Sequence, residues 1–268
     1  ISLFGALCYA ELATAFPSAG GEYHFLSRAF GRQIGFLFAW ARASIIQTGS
    51  IALLAFVLGD YLASLFALEG YASPVFAATA VLALTGLNIM GVRQAAGFQK
   101  AMFTLTLIGL AILTIAGLAS VPAPSVIANA TTPTIGAIGT AMIFVLLTYG
   151  GWNEAAYISA EIRDGKRNMT RALLLSIGIV TLCYVAINMI YLGVLGVDGV
   201  AGSQAVAGDV MRVMFGETGA IAITILIVIV ALTSLNVTIF TGARSNFALG
   251  RDFPPFRILG NWNEKNGS

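Results

Sequence analysis

The chain has 268 residues, of which 58% are hydrophobic and only 10% are charged, and its mean hydropathy is +0.88. Soluble domains carry about 25% charged residues, so this composition excludes an ordinary soluble protein. The net charge of +2 says little in total, and no nucleic-acid partner is expected.

Apolar runs long enough to cross a bilayer recur along the chain. The run Ala101–Asn153 is too long for one crossing, and its centre, Ser120–Pro133, is rich in Pro, Ser, Thr and Asn, so we expect two helices joined by a loop there. Seven spans are therefore predicted, in the order Ile1–Phe16, Ile34–Gly59, Gly70–Val92, two within Ala101–Asn153, Ala172–Val197 and Thr218–Ala243.

The first span is short and begins without Met, and the chain stops in the polar tail Asn261–Ser268. We expect a fragment of a larger protein, cut inside or just before a membrane helix. The two cysteines, Cys8 and Cys183, both lie in apolar helical sequence and are interpreted as packing residues. No cofactor and no metal site are expected.

Lys and Arg alternate between successive loops, which predicts the topology. Basic loops stay in the cytoplasm, so the first span runs inwards and the carboxyl-terminal tail is cytoplasmic. We expect an integral, multi-pass protein of the cell (inner or plasma) membrane. The external stretch Ser203–Phe215 has apolar residues at Val206, Val210, Val213 and Met214, which favours a short amphipathic helix there or a simple connector.

A glycine pair interrupts the fifth apolar span near the middle of what otherwise resembles a membrane-spanning helix. Such breaks are tolerated where the freed backbone groups face protein, water or a ligand, and in transporters they mark substrate sites. Close helix packing on small residues is the alternative. The candidate substrate-binding residues here are Leu147, Thr148, Tyr149, Gly150, Gly151, Trp152 and Asn153.

Several motifs together resemble the amino acid–polyamine–organocation (APC) transporters, in particular the L-type branch. They are ALCYAEL at 6–12, PSAGGEY at 17–23, YGGWN at 149–153, RNMTRA at 167–172, SLN at 234–236 and GRD at 250–252. The resemblance implies an all-α membrane protein with part of a LeuT-like five-plus-five inverted-repeat fold. On that reading the chain holds helices two to eight, helix six is broken near mid-membrane, and residues 1–268 form a single membrane transport domain that lacks the first and last helices.

The resemblance also implies how a substrate is held. The carbonyls of Leu147, Thr148 and Gly150 would receive its ammonium group. The family often has an aromatic gate at the position of Leu147, so either the pocket accepts larger side chains, or Tyr149 or Phe144 closes it. Trp152 is interpreted equally well as a packing residue or as a ligand contact.

The third helix of the family lines the pocket with residues that match Ile45, Ile46 and Ser50. Ile45 and Ile46 would meet the apolar part of a substrate, and Ser50 would add a hydrogen bond. Plain helix packing is the alternative for the two isoleucines. Thr106 matches a position at which some members carry a lysine in place of a sodium ion. A hydroxyl cannot mimic that cation, so Thr106 is at most one ligand of a coupling ion, and coupling to Na⁺ or H⁺ stays open.

Two charges lie within spans, Arg42 and Glu11. Ionisable residues inside a membrane usually pair or face a water-filled path. We hypothesise that Arg42 pairs with Glu11, or with Glu154 or Glu161, either as an internal gate or as a purely structural pair.

The function predicted from the sequence is secondary active transport by a permease, which moves neutral or apolar amino acids by alternating access. The alternatives are a polyamine or organic-cation transporter and a membrane sensor or partner subunit that kept the fold without transport. An accessory subunit or a homo-oligomer remains open. An enzyme is not supported, because the sequence has one His and no spacing that suggests a nucleophile with its base.

Overall fold

The structure, a computed structural model, describes residues 1–18, 20–120, 134–161, 165–203 and 205–261. Within these ranges the regular secondary structure is helical, without strands, so the all-α prediction is confirmed. Contacts between Cα atoms divide the chain into two compact units. The first unit combines Ile1–Gly35 with Ala123–Val185, and the second combines Phe36–Pro122 with Ala186–Ser268.

The α-helices of the described ranges are α1 Ser2–Ala15, α2 Glu22–Phe30, α3 Arg32–Ala41, α4 Gln47–Leu65, α5 Ala72–Met90, α6 Val92–Ser120, α7 Ile135–Thr148, α8 Gly165–Gly202 and α9 Val206–Asp252. A π-helical turn, Arg42–Ile46, joins α3 to α4 without a loop. Two segments are 3₁₀-helical: Trp152–Glu161, here called the inner segment, and Pro254–Gly260 near the carboxyl end.

The seven predicted spans coincide with apolar helices. Among the described residues, five helices are long and apolar enough to cross a membrane, and two shorter apolar helices, Ser2–Ala15 and Ile135–Leu146, occupy the remaining predicted spans. The centre of the predicted loop, residues 121–133, lies outside the described residues. Hydropathy alone therefore located each apolar helix, since long uncharged runs have few other uses in proteins.

Two glycines with positive φ interrupt the long helices α8 and α9. Gly196 (φ 67°) bends α8, and Gly216 (φ 66°) separates a short first part of α9 from the long apolar remainder. The short part matches the helix predicted over Ser203–Phe215. Its buried face differs from the prediction, because Val210 and Met211 are buried whereas Val213 is 66% exposed. Helical spacing places the inward stripe on residues 207, 210, 211 and 214 and turns Val213 away from it.

The first unit is built around the contact of α1 with α8. Three alanines of α1 at helical spacing, Ala6, Ala10 and Ala13, form one apolar cluster with Met169, Leu173 and Ile177 of α8. Small side chains allow two helices to approach closely, which is how membrane helices gain packing energy without a hydrophobic driving force from water. This contact places α1 beside the inner segment, whose Trp152 and Ala155 pack against the same cluster.

The second unit packs α4 against α5 and α9, with α6 on α9. Its apolar cluster contains Ala55, Ala77, Leu84 and Leu235, and Leu235 is fully buried. Gln47 of α4 is also buried, and its amide donates a hydrogen bond to the carbonyl of Thr238 in α9.

A chain of amides joins three helices of the second unit. Nδ2 of Asn88 donates to Oδ1 of Asn236 over 2.9 Å, and Nδ2 of Asn236 donates to Oε1 of Gln99 over 2.8 Å. Asn236 is only 3% exposed. A polar side chain inside a membrane helix, such as the amide of Asn236, either bonds to another helix or faces a cavity. These contacts favour bonding between helices.

We expect Asn236→Ala to lower the free energy of unfolding of the complete protein by about 1–3 kcal/mol. It removes two interhelical hydrogen bonds, each worth about 0.6 kcal/mol on average in a membrane, and leaves Oε1 of Gln99 without this donor. The measurement is unfolding of the purified protein by titration with dodecyl sulfate. Thr79→Val is the control, since the exposed Thr79 hydroxyl bonds only the Val75 carbonyl of its own helix. Equal stability of the two variants would contradict the structural role.

Candidate functional site

The break in the fifth apolar span lies where the sequence predicts it. Helix α7 has 14 residues and ends at Thr148, about 21 Å from its start at 1.5 Å per residue. The N–H of Tyr149 still donates to the carbonyl of Val145, over 3.0 Å. Gly151 then has φ +102°, a backbone conformation that favours glycine. The depth of the break in a bilayer stays a prediction.

The chain does not resume as an α-helix beyond the glycines. The inner segment Trp152–Glu161 is 3₁₀-helical over ten residues. At its start, the N–H of Glu154 donates to the carbonyl of Gly151 over 3.1 Å. The sequence predicts an inner half-helix without specifying this narrower form. Stretches of 3₁₀ helix longer than three or four residues are uncommon and often mark a hinge or strain.

Side chains of α8 contact the break on the side where α7 ends. The hydroxyl of Tyr184 donates to the carbonyl of Thr148 over 3.2 Å, and the hydroxyl of Tyr149 donates to Oγ1 of Thr181, also over 3.2 Å. The Tyr149 and Tyr184 rings meet edge to face, with centroids 5.3 Å apart. One of the three carbonyls expected to receive an ammonium group therefore already accepts one hydrogen bond, although a carbonyl has a second lone pair to offer.

A pocket of about 320 Å³ opens beside the break. Its volume falls at the lower end of the range found for small-molecule sites. The lining residues are Thr148, Tyr149, Gly150, Gly151, Trp152, Ala155, Leu173, Ser176, Ile177, Val180 and Tyr184. This set is mostly apolar and contains no acidic side chain. The polar groups that it offers a ligand are therefore backbone groups and hydroxyls.

A second hollow, of about 540 Å³, lies on the α1 side of the break. Its lining consists of Ile1, Ser2, Phe4, Gly5, Cys8, Leu146, Gly150, Trp152 and Asn153. Gly150 and Trp152 line both spaces, so each of these two residues contacts the pocket on one side and the hollow on the other. The structure thus brings together Thr148 to Asn153, the contiguous part of the predicted site.

Trp152 packs against α1. Its ring meets Tyr9 edge to face at 5.0 Å between centroids, and a Cβ placed on Gly5 would lie 2.7 Å from Cη2 of Trp152. Only a residue without a side chain leaves room for the indole at that position. Of the two interpretations of Trp152, packing is therefore supported by direct contacts, and Trp152 also lines the pocket.

Asn153 is bound to a carboxylate that the sequence did not single out as part of the site. Nδ2 of Asn153 donates to Oε1 of Glu22 over 2.9 Å. The same carboxylate accepts from the hydroxyl of Tyr9 at 2.6 Å and from the hydroxyl of Tyr157 at 3.1 Å. Glu22 appears in the sequence only as part of the PSAGGEY motif, and its partner Asn153 is 131 residues away. No local pattern links the two positions.

The turn before α2 contacts the inner segment at two further places. The backbone N–H of Ser18 donates to Oγ of Ser159 over 3.2 Å. Gly21 has φ +48°, and a Cβ there would lie 2.7 Å from the ring of Tyr157, which is fully buried. The second glycine of the PSAGGEY motif is therefore required both by its backbone conformation and by the ring of Tyr157.

The other predicted pocket residues belong to the second unit. Ile45 and Ile46 lie in the π-helical turn and are 63% and 48% exposed. The Ser50 hydroxyl donates to the carbonyl of Ile46 over 2.8 Å, and the Thr106 hydroxyl donates to the carbonyl of Met102 over 2.9 Å. Both hydroxyl protons are thus used within their own helices, and the roles predicted for Ile45, Ile46, Ser50 and Thr106 stay predictions.

The proposed gate pair joins residues of different units, and its pairing stays a prediction. Arg42 is 3% exposed at the start of the π-helical turn, whereas Glu11 is exposed on α1. The side chains of Glu161 and Leu147 lie outside the described part of the chain. The described residues also contain no group of three or more His, Cys, Asp or Glu side chains that could hold a metal ion.

The whole chain, residues 1–268, matches the family model described as "Amino acid permease". It is 30% identical over 272 residues to the b(0,+)-type amino acid transporter 1 of Mus musculus, and the matched region covers 97% of this chain and 55% of that protein. It is 32% identical over 270 residues to the large neutral amino acids transporter small subunit 2 of Homo sapiens, covering 94% of this chain and 49% of that protein. The chain thus spans about half the length of the curated relatives it matches.

We expect Gly5→Ala to destabilise the complete protein by about 1–3 kcal/mol, because the added methyl overlaps the indole of Trp152. The measurement is again unfolding in dodecyl sulfate. The same substitution should cost less in a Trp152→Phe background, where the smaller ring leaves space. Gly86→Ala is the control, since nothing lies within 4 Å of a Cβ at that position. An equal cost in both backgrounds would show that Trp152 is not the obstacle.

Proposed function

Because this chain belongs to the amino acid permease family, we propose that the complete protein is a secondary active transporter that carries neutral, fairly apolar amino acids across a membrane by alternating access. The observation that supports this proposal most directly is the end of α7 at Thr148 beside a pocket. The chain is accordingly an integral, multi-pass membrane protein, and it belongs to a family of transporters rather than of enzymes.

The substrate's ammonium group would bind at the broken end of α7. The last carbonyls of a helix have no partner within the helix and carry partial negative charge. Those of Leu147, Thr148 and Gly150 are the proposed acceptors. The hydroxyl of Tyr184 donates to the carbonyl of Thr148. This hydrogen bond would orient the carbonyl and leave its second lone pair for the substrate.

The chemistry of the pocket favours a neutral substrate. Its described lining offers Leu173, Ile177 and Val180 to the side chain of a substrate. The same lining has no carboxylate to pair with a second positive charge on a substrate. A polyamine would have to lose the hydration of that second charge without compensation. The printed name of one relative, a large neutral amino acids transporter, agrees with a neutral substrate. Ile45 and Ile46 are the residues of the second unit that we propose to meet its apolar part.

The surroundings of the protein are part of the proposal. A relative is named as a small subunit, which supports an accessory partner for the complete protein. We propose the plasma or inner membrane as its location, and the basic loops and tail favour a cytoplasmic carboxyl-terminal tail. Thr106 is kept as a single candidate ligand for a coupling ion, and Arg42 and Glu11 as a candidate gate pair.

The direct test is uptake by the complete protein in liposomes, using labelled leucine, phenylalanine, lysine and putrescine. The assay is run with and without sodium and a pH gradient. Uptake of leucine and phenylalanine above lysine and putrescine supports the proposal. Preference for putrescine would instead identify an organic-cation transporter, and no uptake of any compound would favour a sensor or partner subunit.

We expect Gly150→Val to lower leucine uptake roughly tenfold or more, equivalent to about 1.4 kcal/mol of lost binding. Gly150 lines the spaces on both sides of the break, and a side chain there keeps a ligand from the backbone. Gly178→Val is the matched control, because Gly178 of α8 is exposed and nothing lies within 4 Å of its added Cβ. Equal uptake by the two variants, at equal expression, would remove Gly150 from the site.

A further inference from the structure

The carboxylate of Glu22 holds a group of hydrogen bonds in the first unit that substrate binding does not use. It accepts hydrogen bonds from Tyr9, Asn153 and Tyr157. A carboxylate only accepts, and its two oxygens offer about four lone-pair positions, so it matches three donors that converge on one point. Hydrogen bonds to an ionised acceptor are also stronger than those between neutral groups.

The three donors come from two separate elements. Tyr9 lies on α1, whereas Asn153 and Tyr157 lie on the inner segment, and Glu22 itself is the first residue of α2. One carboxylate therefore connects α1, the start of α2 and the inner segment. The bond between Ser18 and Ser159 adds a second connection of the same turn to the same segment.

The position of these bonds relative to the break gives them a functional consequence. Asn153 follows Gly150 by three residues, so the carboxylate holds the inner segment directly after the point where α7 ends. The glycines of the break leave the backbone free to rotate there. The inner segment can therefore change its angle to α7 only if the bonds to Glu22 and Ser18 break or move with it.

Resting on the proposed transport function, we propose that Glu22 is a positioning residue that latches the inner segment onto the turn before α2. The latch is closed in this structure. It opens when the substrate site becomes accessible from the cytoplasm, and it closes again on return. Glu22 acts through Asn153 and Tyr157 and does not itself touch the substrate.

The test uses the complete protein with Ala156→Cys as a reporter and its other cysteines, Cys8 and Cys183 among them, replaced by alanine. Ala156 lies in the inner segment, takes no part in the bonds to Glu22 or Ser18 and is 2% exposed while the latch is closed, so Cys at this position should react slowly with a membrane-impermeant thiol reagent added from the cytoplasmic side. We expect Glu22→Ala to raise the modification rate roughly tenfold or more, the change that a shift of about 1.4 kcal/mol produces. Uptake of leucine should fall in parallel.

Conservative variants separate a latch from general stability. In Glu22→Gln the side-chain carbonyl can still accept from Tyr9 and Asn153, and its amide can donate to the Tyr157 oxygen. This variant should therefore recover most of the slow modification and most of the uptake. Tyr157→Phe keeps the buried ring and removes one hydrogen bond, so it should raise the rate several-fold. It should add nothing in a Glu22→Ala background, because its effect passes through that carboxylate.

Matched controls are Glu69→Gln and Tyr71→Phe, whose side chains are exposed in the second unit. The latch would be overturned if Glu22→Ala were modified no faster than these controls. It would also be overturned if Glu22→Gln and Glu22→Ala raised the modification rate equally. An additive effect of Tyr157→Phe and Glu22→Ala would also overturn it. Absence of amino acid uptake by the unmodified protein would instead overturn the proposed function, and the thiol measurement distinguishes these cases because it needs no substrate.

Discussion

The end of α7 inside apolar sequence leaves backbone carbonyls that need partners, and the neighbouring elements are arranged around that need. Each carbonyl left without a partner away from water would cost a few kcal/mol. The hydroxyl of Tyr184 supplies one donor, and the pocket beside the break leaves room for another. A ligand with a positive, hydrogen-bonding end group is the chemical complement of such a place, so the substrate class that we propose rests on backbone carbonyls more than on any side chain.

The two sides of the break are held by different elements. Before the break, Tyr149 and the carbonyl of Thr148 are bonded to α8. Beyond the break, Asn153 and Tyr157 are bonded to Glu22 at the start of α2. The glycines between the two sets of contacts give the backbone the freedom that the proposed opening of the latch requires.

The sequence predicted the apolar helices and the position of the break well, since both depend on local properties. A long uncharged run has to cross a bilayer, and the glycine pair with its polar neighbours cannot continue such a helix at low cost. The apolar positions predicted for the helix over Ser203–Phe215 include Val210, which is buried, and Val213, which is exposed. Neither the 3₁₀ form of the inner segment nor the π-helical turn at Arg42–Ile46 could be predicted, because hydropathy does not distinguish helices by their hydrogen-bond spacing.

The site was predicted less completely, because its hydrogen bonds join residues far apart in sequence. Glu22 lies in a stretch that reads as a cytoplasmic turn, and its partner Asn153 reads as part of the break. Tyr184 lies within an uncharged span, where an aromatic residue normally indicates packing. The one local signal near Glu22 is Gly21, and its positive φ together with the nearby Tyr157 ring explains the glycine directly before Glu22.

The first unit combines two kinds of contact. The alanines of α1 meet Leu173 and its neighbours on α8 in one apolar cluster, and separating these helices would lose its packing contacts. The inner segment is also joined to the α1–α2 turn through a few hydroxyl, amide and carboxylate groups, which can exchange their partners for water when they separate. Trp152 and Ala155 pack against the apolar cluster as well, so the inner segment is held by apolar packing and by directional polar contacts together. The proposed opening of the latch therefore requires the polar groups to change partners, and it has to overcome the packing of Trp152 against α1 in addition.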